Sequence, residues 1–213
     1  ICDMGNLPSV EVVFSALPSQ IAKFAEPELV SRGIHVFSNS SSYRRISGIP
    51  MVIPEVNATA MSEYRGHACA TNCTVIPIVM PLACIESAIG LISVDLYTQQ
   101  ALSGGGWELL NRTGLSEWNL NPHIPGEEEK IVAELQYLLG RPDLLVNATC
   151  HRVMERDGHI VRVTARLCRA TSMEEVNRLL PVRGIDLPSS PEHAVELVDR
   201  TPNREIDLWS GGE

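Results

Sequence analysis

The sequence has no Gly-x-Gly-x-x-Gly turn, no Cys-x-x-Cys pair and no long apolar run, and the last two absences each remove a class of function. Every apolar stretch falls short of the roughly 18 residues that a membrane-spanning helix needs. No basic segment followed by an apolar one opens the chain, so no secretory leader is read and a cytoplasmic protein is expected. Basic residues are outnumbered, 17 against 26 acidic, which leaves a formal charge of -9. A field of that sign repels polyanions and argues against nucleic acid or an anionic membrane as a partner. An anionic small substrate would need its own basic pocket. The six cysteines (Cys2, Cys69, Cys73, Cys84, Cys150 and Cys168) show no metal-ligand spacing and no tight knot. Reduced thiols, mostly buried and inert, are expected, with no metal site.

What is present is an ordinary globular composition, 44% hydrophobic and 20% charged, in 213 residues. That length holds one large domain or two small ones. VEVVFSAL (10–17) reads as a buried strand, since β-branched and aromatic residues run almost without polar interruption. Pro18 and Ser19 open a helix to about Ser31 that Gly33 ends, and IHVFSN is a second strand. Strand, helix and strand at this spacing predict a βαβ unit in a parallel sheet. MVIPEVN (51–57) is a third apolar segment. Beyond residue 70 the pattern changes. CTVIPIVMPLACI reads as an apolar helix, GLISVDLYTQQALS as an alternating strand and SGGGW as a loop. GEEEKIVAELQYLLG places residues 131, 132, 135, 138 and 139 on one helical face closed by Gly140. LLVNATCHRVMERDGHIVRVTARL predicts two strands joined by a tight Asp157-Gly158 turn, and MEEVNRLL a short helix. The tail from Pro188 to the closing WSGGE is polar, with no closing element. The second half is therefore α+β with an antiparallel sheet.

Several residues carry candidate chemistry. If Asn72 caps the apolar helix, Cys73 lies in its first turn, where unpaired N–H groups and the dipole favour a thiolate. A core cysteine at the start of an apolar helix is the competing reading. Pro77 would then remove the bond to the Cys73 carbonyl and kink the helix. In a two-residue hairpin Arg152 and His159 share a face but stand about 13 Å apart along the strands, at about 3.3 Å per residue. The alternative is an exposed hairpin tip with scattered polar residues. Glu127 and Lys130, at i and i+3, share a helix face, which is also what a solvated first turn looks like. Arg44 and Arg45, in SNSSSYRRISG, follow a strand and offer an anion site or simple solubility. Gln100 precedes SGGG, a loop that can approach a ligand closely.

The joint order of these segments resembles the aspartate-semialdehyde dehydrogenase family over essentially the whole chain. VVFSALPSQIAKFAEPELVSRGIHVFSN with IPMVIPEVN looks like the passage from that family's nucleotide domain into its catalytic one. NCT (72–74) matches the nucleophile motif, QALSGGG (100–106) a glycine-rich loop, GEEEK (126–130) the substrate helix, and Arg152 with His159 a basic pair. The resemblance implies a remnant Rossmann-type parallel sheet over 1–70. It implies an α+β catalytic and dimerisation domain, glyceraldehyde-3-phosphate-dehydrogenase-like with an antiparallel or mixed sheet, over 71–213. It also implies residue roles. Cys73 would attack an acyl phosphate to form a thioester, Gln100 would orient the carbonyl, and His159 would be the general acid–base or hold substrate. Arg152 and Glu127 would grip the amino-acid end, Arg44 and Lys130 phosphate, with Asn72 beside them. NADP would meet Ser15, Ala16, Ser38, Ser103 and Gly104, and its hydride would reduce the thioester to aspartate 4-semialdehyde. A homodimer or homotetramer is implied as well.

Departures accompany the likeness. The family's glycine-rich turn would lie before Ile1 and its final strand and helix after Glu213, so a reading frame extending on both sides is expected. Val75 stands where a second threonine is usual. Two other readings stay open: an acylating reductase of malonyl-CoA or N-acetyl-glutamyl phosphate, and a non-catalytic interaction protein that has lost nucleotide binding.

Overall fold

The computed structural model describes residues 9–180, 182–186 and 192–207. Cys2, Pro188 and the closing WSGGE lie outside the described residues. The chain divides into two compact units, Ile1–Asn72 and Cys73–Glu213.

In the first unit β1 (Val12–Ser15), α1 (Ser19–Ser31) and β2 (His35–Ser38) form the expected βαβ crossover. β1 and β2 are parallel, with Ser15 beside Ser38, and β3 (His67–Cys69) adds on the far side of β2. The segment 51–57 supplies a single bridge, Met51 to Cys69, before turning into the short helix α2 (Pro54–Asn57). Asn57 is the local cause. Its amide accepts from Ile53 N–H at 2.8 Å and donates to the Met51 carbonyl at 2.9 Å, so the backbone curls. β1 is not the buried strand its composition suggests. Among the described residues it pairs only with β2, and Phe14 is 82% exposed. On that open face Phe14 stacks on Phe37, and Phe37 on Tyr64, with centroids 5.6 and 5.7 Å apart.

The opposite face carries α1 and a buried polar knot. Glu26 is fully buried in the middle of α1. Its Oε1 accepts the Ser15 hydroxyl at 2.5 Å and the Ser38 hydroxyl at 2.9 Å, and Oε2 lies 3.0 Å from His67 Nε2. One carboxylate thus reaches all three strands. A carboxylate is tolerated in such a place only because its lone pairs are matched.

The second unit is built on β4 (Leu91–Gln100), flanked by β5 (Leu145–Arg152) and β6 (Ile160–Leu167). β5 runs parallel to β4 and β6 antiparallel to it, so the sheet is mixed. This corrects the hairpin expectation, because β5 and β6 do not pair. The apolar strand β4 occupies the centre, with Val94, Leu96, Thr98 and Gln100 all turned into the core. α3 (Ile76–Ala88) buries Ile78, Val79, Leu82 and Ile85. α5 (Glu127–Leu138) buries Ile131, Leu135 and Leu138, the face its sequence period predicts. The SGGGW segment is not loop throughout: Leu102–Gly105 forms a 3-10 turn and α4 (Gly106–Leu110) follows it. α6 (Met173–Leu179) is capped by the Ser172 hydroxyl, which accepts from Glu175 N–H. The tail is not without elements either, since β7 (Val182–Arg183) pairs with β8 (His193–Val195) and α7 (Arg204–Asp207) ends the described chain.

Candidate functional site

Sheet topology gathers the candidate residues of the second unit at one end of β4. β5 is parallel to β4, so Arg152 stands beside Gln100 at their shared carboxyl ends. β6 is antiparallel, so its first residue Ile160 faces Gln99 and His159 arrives at the same end. Arg152 and His159 are thus brought together across β4, not spread about 13 Å along a hairpin. The connecting segment arches over the β4 end and is tied down there. Val153 N–H donates to the Gln100 carbonyl, Leu102 N–H to that of Glu155, and Ser103 N–H to that of Arg156.

Over this end sits the thiol of Cys73. Its Sγ is 3.3 Å from His159 Nε2, and it belongs to the same unit. Asn72 is not the helix cap expected from the sequence. α3 begins at Ile76 with Val75 in the capping position, and Cys73 lies in the turn before it. Pro77 therefore falls in the first turn, where its missing N–H has no helical partner to lose. The position of the sulfur is set by the turn and by His159, not by a helix of which it is part. Cys73 is exposed, whereas Cys69 and Cys150 are buried.

The imidazole and guanidinium are held by one residue. Ala101 N–H donates to His159 Nδ1 at 3.2 Å, and its carbonyl accepts from Arg152 Nη1 at 2.6 Å. Gly104 makes the arrangement possible: a Cβ there would stand 2.9 Å from Arg152 Nη1 and 2.9 Å from His159 Cε1. Burial, followed by the Arg152 charge, lowers the His159 pKa, and Glu127 opposes them. Burial also lowers that of Arg152, against the pull of Glu127. Behind them Gln100 Nε2 donates to Glu127 Oε1 at 3.2 Å, and Lys130 Nζ lies 3.9 Å from Glu127 Oε2. Glu127 is buried at the start of α5, so the EEEK turn is not simply solvated.

Other candidates belong to the first unit. Arg44 donates from Nε to the Ala70 carbonyl and from Nη2 to that of Asn39, both at 3.1 Å, just beyond β3 and β2. Asn72 is buried. Ser15, Ala16 and Ser38 line a cavity of about 530 Å³ at the carboxyl ends of β1, β2 and β3, with Phe14, Phe37 and Met61 among its apolar walls. The two serine hydroxyls are turned to Glu26, so their share of that cavity is main chain and methylene. Arg204 in α7 carries no motif that would have marked it. Its Nε donates to the Gly158 carbonyl at 2.8 Å, directly before His159, and it adds to the lowering of the His159 pKa.

Comparison with known proteins gives the arrangement its lineage. A family model described as semialdehyde dehydrogenase, NAD binding domain, matches residues 2–64. The aspartate-semialdehyde dehydrogenase of Aspergillus fumigatus is 31% identical over 99% of this chain and 67% of its own length. The chain belongs to the aspartate-semialdehyde dehydrogenase family. The family's enzyme from Archaeoglobus fulgidus is 36% identical over 91% of this chain, which spans 61% of that relative. The family's solved structures agree. The Vibrio cholerae aspartate semialdehyde dehydrogenase II, complexed with ASA, superposes with a TM-score of 0.76 at 25% identity, covering 89% of this chain and 66% of that one. The Candida albicans enzyme with NADP gives 0.77 at 26% identity, covering 91% and 63%. The chain thus spans about three fifths to two thirds of the relatives it matches.

Proposed function

We propose that this chain carries the acyl-transfer centre of an NADPH-dependent reduction of L-4-aspartyl phosphate to L-aspartate 4-semialdehyde. The observation that carries the reading is the Cys73 sulfur 3.3 Å from His159 Nε2, beside Arg152 and within a unit that also holds Gln100 and Glu127. Cys73 is the nucleophile. Its sulfur bonds to the acyl carbon while the carbon–oxygen bond to phosphate breaks, and phosphate leaves with the electron pair. Gln100, anchored on Glu127, orients the substrate. Arg152 and Glu127 suit a carboxylate and an amine at one end of an amino acid, and Lys130 adds positive charge for phosphate. Arg44 and Asn72, which lie in the first unit, are the remaining residues to which the family likeness gives a substrate-binding role.

The nucleotide fits the first unit on its own geometry. A mostly apolar cavity of about 530 Å³ opens at the carboxyl ends of three parallel strands, where open α/β sheets bind their ligands. Ser15, Ala16 and Ser38 would hold it there; Ser103 and Gly104, in the second unit, have a nucleotide role by the family likeness alone. Bound, it supplies hydride to the thioester carbon. The residues of the chain hold the thioester and take the sulfur back as the aldehyde forms. No helix among the described residues is long and apolar enough to cross a membrane. A homodimer or homotetramer and a domain boundary near residue 70 belong to the same reading.

Glu127 and Arg152 also favour this substrate over malonyl-CoA, which has no amine, and over N-acetyl-glutamyl phosphate, whose amine is blocked. A steady-state panel of the three acyl donors with NADPH tests the choice. Turnover on aspartyl phosphate, abolished by Cys73→Ser, is expected. Turnover confined to either of the others refutes it.

A further inference from the structure

The contacts of His159 decide which of its nitrogens carries a proton. The Ala101 peptide N–H points at Nδ1 across 3.2 Å. A peptide N–H only donates, so Nδ1 must present its lone pair, and the neutral ring carries its hydrogen on Nε2. Nε2 faces Cys73 Sγ at 3.3 Å. Turning the ring over would set carbon against both the amide and the sulfur, losing both contacts, so two partners fix its orientation. Adding a second proton would set N–H against N–H at Nδ1.

We propose that His159 works as a neutral imidazole whose Nε2–H is a fixed hydrogen-bond donor to the Cys73 sulfur, locked in that tautomer by the Ala101 amide. It is then not the base that removes the thiol proton. The charged and titratable groups facing it are Cys73, Arg152, Glu127 and Arg204. The two guanidinium groups oppose a third positive charge, and burial acts in the same direction. Gly104 lies beside the ring, where an added Cβ would stand 2.9 Å from its Cε1.

The inference rests on the acyl-transfer reading, and the electron balance of that reading agrees with it. The thiol loses its one proton to water before substrate arrives. Sulfur enters as thiolate when its bond to carbon forms and phosphate departs, and leaves as thiolate when the carbon–sulfur bond of the reduced adduct breaks. Neither event moves a proton at sulfur. What both need is a donor that steadies negative charge, which a neutral Nε2–H provides.

Nitrogen-15 NMR of the histidine-labelled full chain, with His159 assigned by its loss in His159→Gln, reads the tautomer without any turnover. A protonated Nε2 and an unprotonated Nδ1 are expected at pH 7. A protonated Nδ1 in either the neutral or the charged ring overturns the proposal. The two substitutions His159→Gln and His159→Ala supply the kinetic arm, since glutamine keeps a donor near Nε2 and does not titrate. Alkylation of Cys73 by iodoacetamide, followed on its own peptide, and kcat are both measured. For kcat, glutamine is expected to cost about tenfold and alanine about a thousandfold. For alkylation at pH 7, alanine is expected to cost up to about thirtyfold, since an ordinary thiol is still about 3% thiolate there, and glutamine less. Equal loss in both variants sinks the donor role. If the native chain turns over none of the three acyl donors, the functional reading fails, while the NMR and alkylation results still decide the tautomer.

Discussion

Adding one methyl group at Gly104 tests whether the site depends on close packing. The new Cβ would meet Arg152 Nη1 and His159 Cε1 at 2.9 Å and His159 Nε2 at 3.1 Å. Ordinary contacts begin near about 3.5 Å, so each neighbour must retreat by roughly half an ångström. Neither is at liberty to do so. Arg152 is buried and pinned to the Ala101 carbonyl, and His159 is pinned to the Ala101 amide. Overpacking of this kind costs about 1–3 kcal/mol in stability. The larger effect is on chemistry, because an imidazole displaced by about 1 Å loses its alignment with Cys73, and misplacement on that scale lowers rates about a hundredfold. Gly104→Ala is therefore expected to slow kcat about a hundredfold and Cys73 alkylation at pH 7 by up to about thirtyfold, while urea unfolding moves modestly. Gly114→Ala is the control. Its φ of +72° strains an L residue, but no atom lies within 4 Å of the new Cβ, so it costs about 1 kcal/mol and leaves kinetics alone. A Gly104→Ala protein with native alkylation and turnover refutes the packing argument.

Other outcomes follow from the same contacts. Replacing Glu26 by alanine leaves two serine hydroxyls and His67 without their common acceptor inside the first unit. A loss of about 3 kcal/mol in chemical denaturation is expected, much less for Glu26→Gln, and equal losses would contradict the hydrogen-bond account. The His159 pKa is lowered on folding, so below its ordinary value near 6.5 the unfolded chain binds the proton more readily. The stability it contributes is complete above that value and declines as pH falls toward the folded pKa; His159→Gln should flatten that part of the profile. Arg204→Met removes the donor to the Gly158 carbonyl and one charge that opposes protonation of His159. Faster amide exchange over 153–159 and a higher His159 pKa by NMR are expected, and neither change would mean that Arg204 is idle.

The sequence by itself determined the local elements and the chemical alphabet of the site. The helical period of α5, the crossover from β1 through α1 to β2, and the alternation along β4 could be read because each depends on neighbours within a few residues. The motif order placed Cys73, Gln100, Glu127, Arg152 and His159 on one list. Tertiary structure decided how they meet. Asp157-Gly158 signals a hairpin, yet β5 and β6 each pair with β4, so the turn arches over a strand and brings Arg152 to His159. The start of α3, three residues after Cys73, could not be read from a run of apolar residues that marks no boundary of its own. Nothing in AEPELVS marks Glu26 as buried, and only the three strands packed on α1 reveal what it binds. Periodicity is written in a segment. Which backbone edges and which buried polar partners find each other is settled only when segments far apart in sequence compete for the same neighbours.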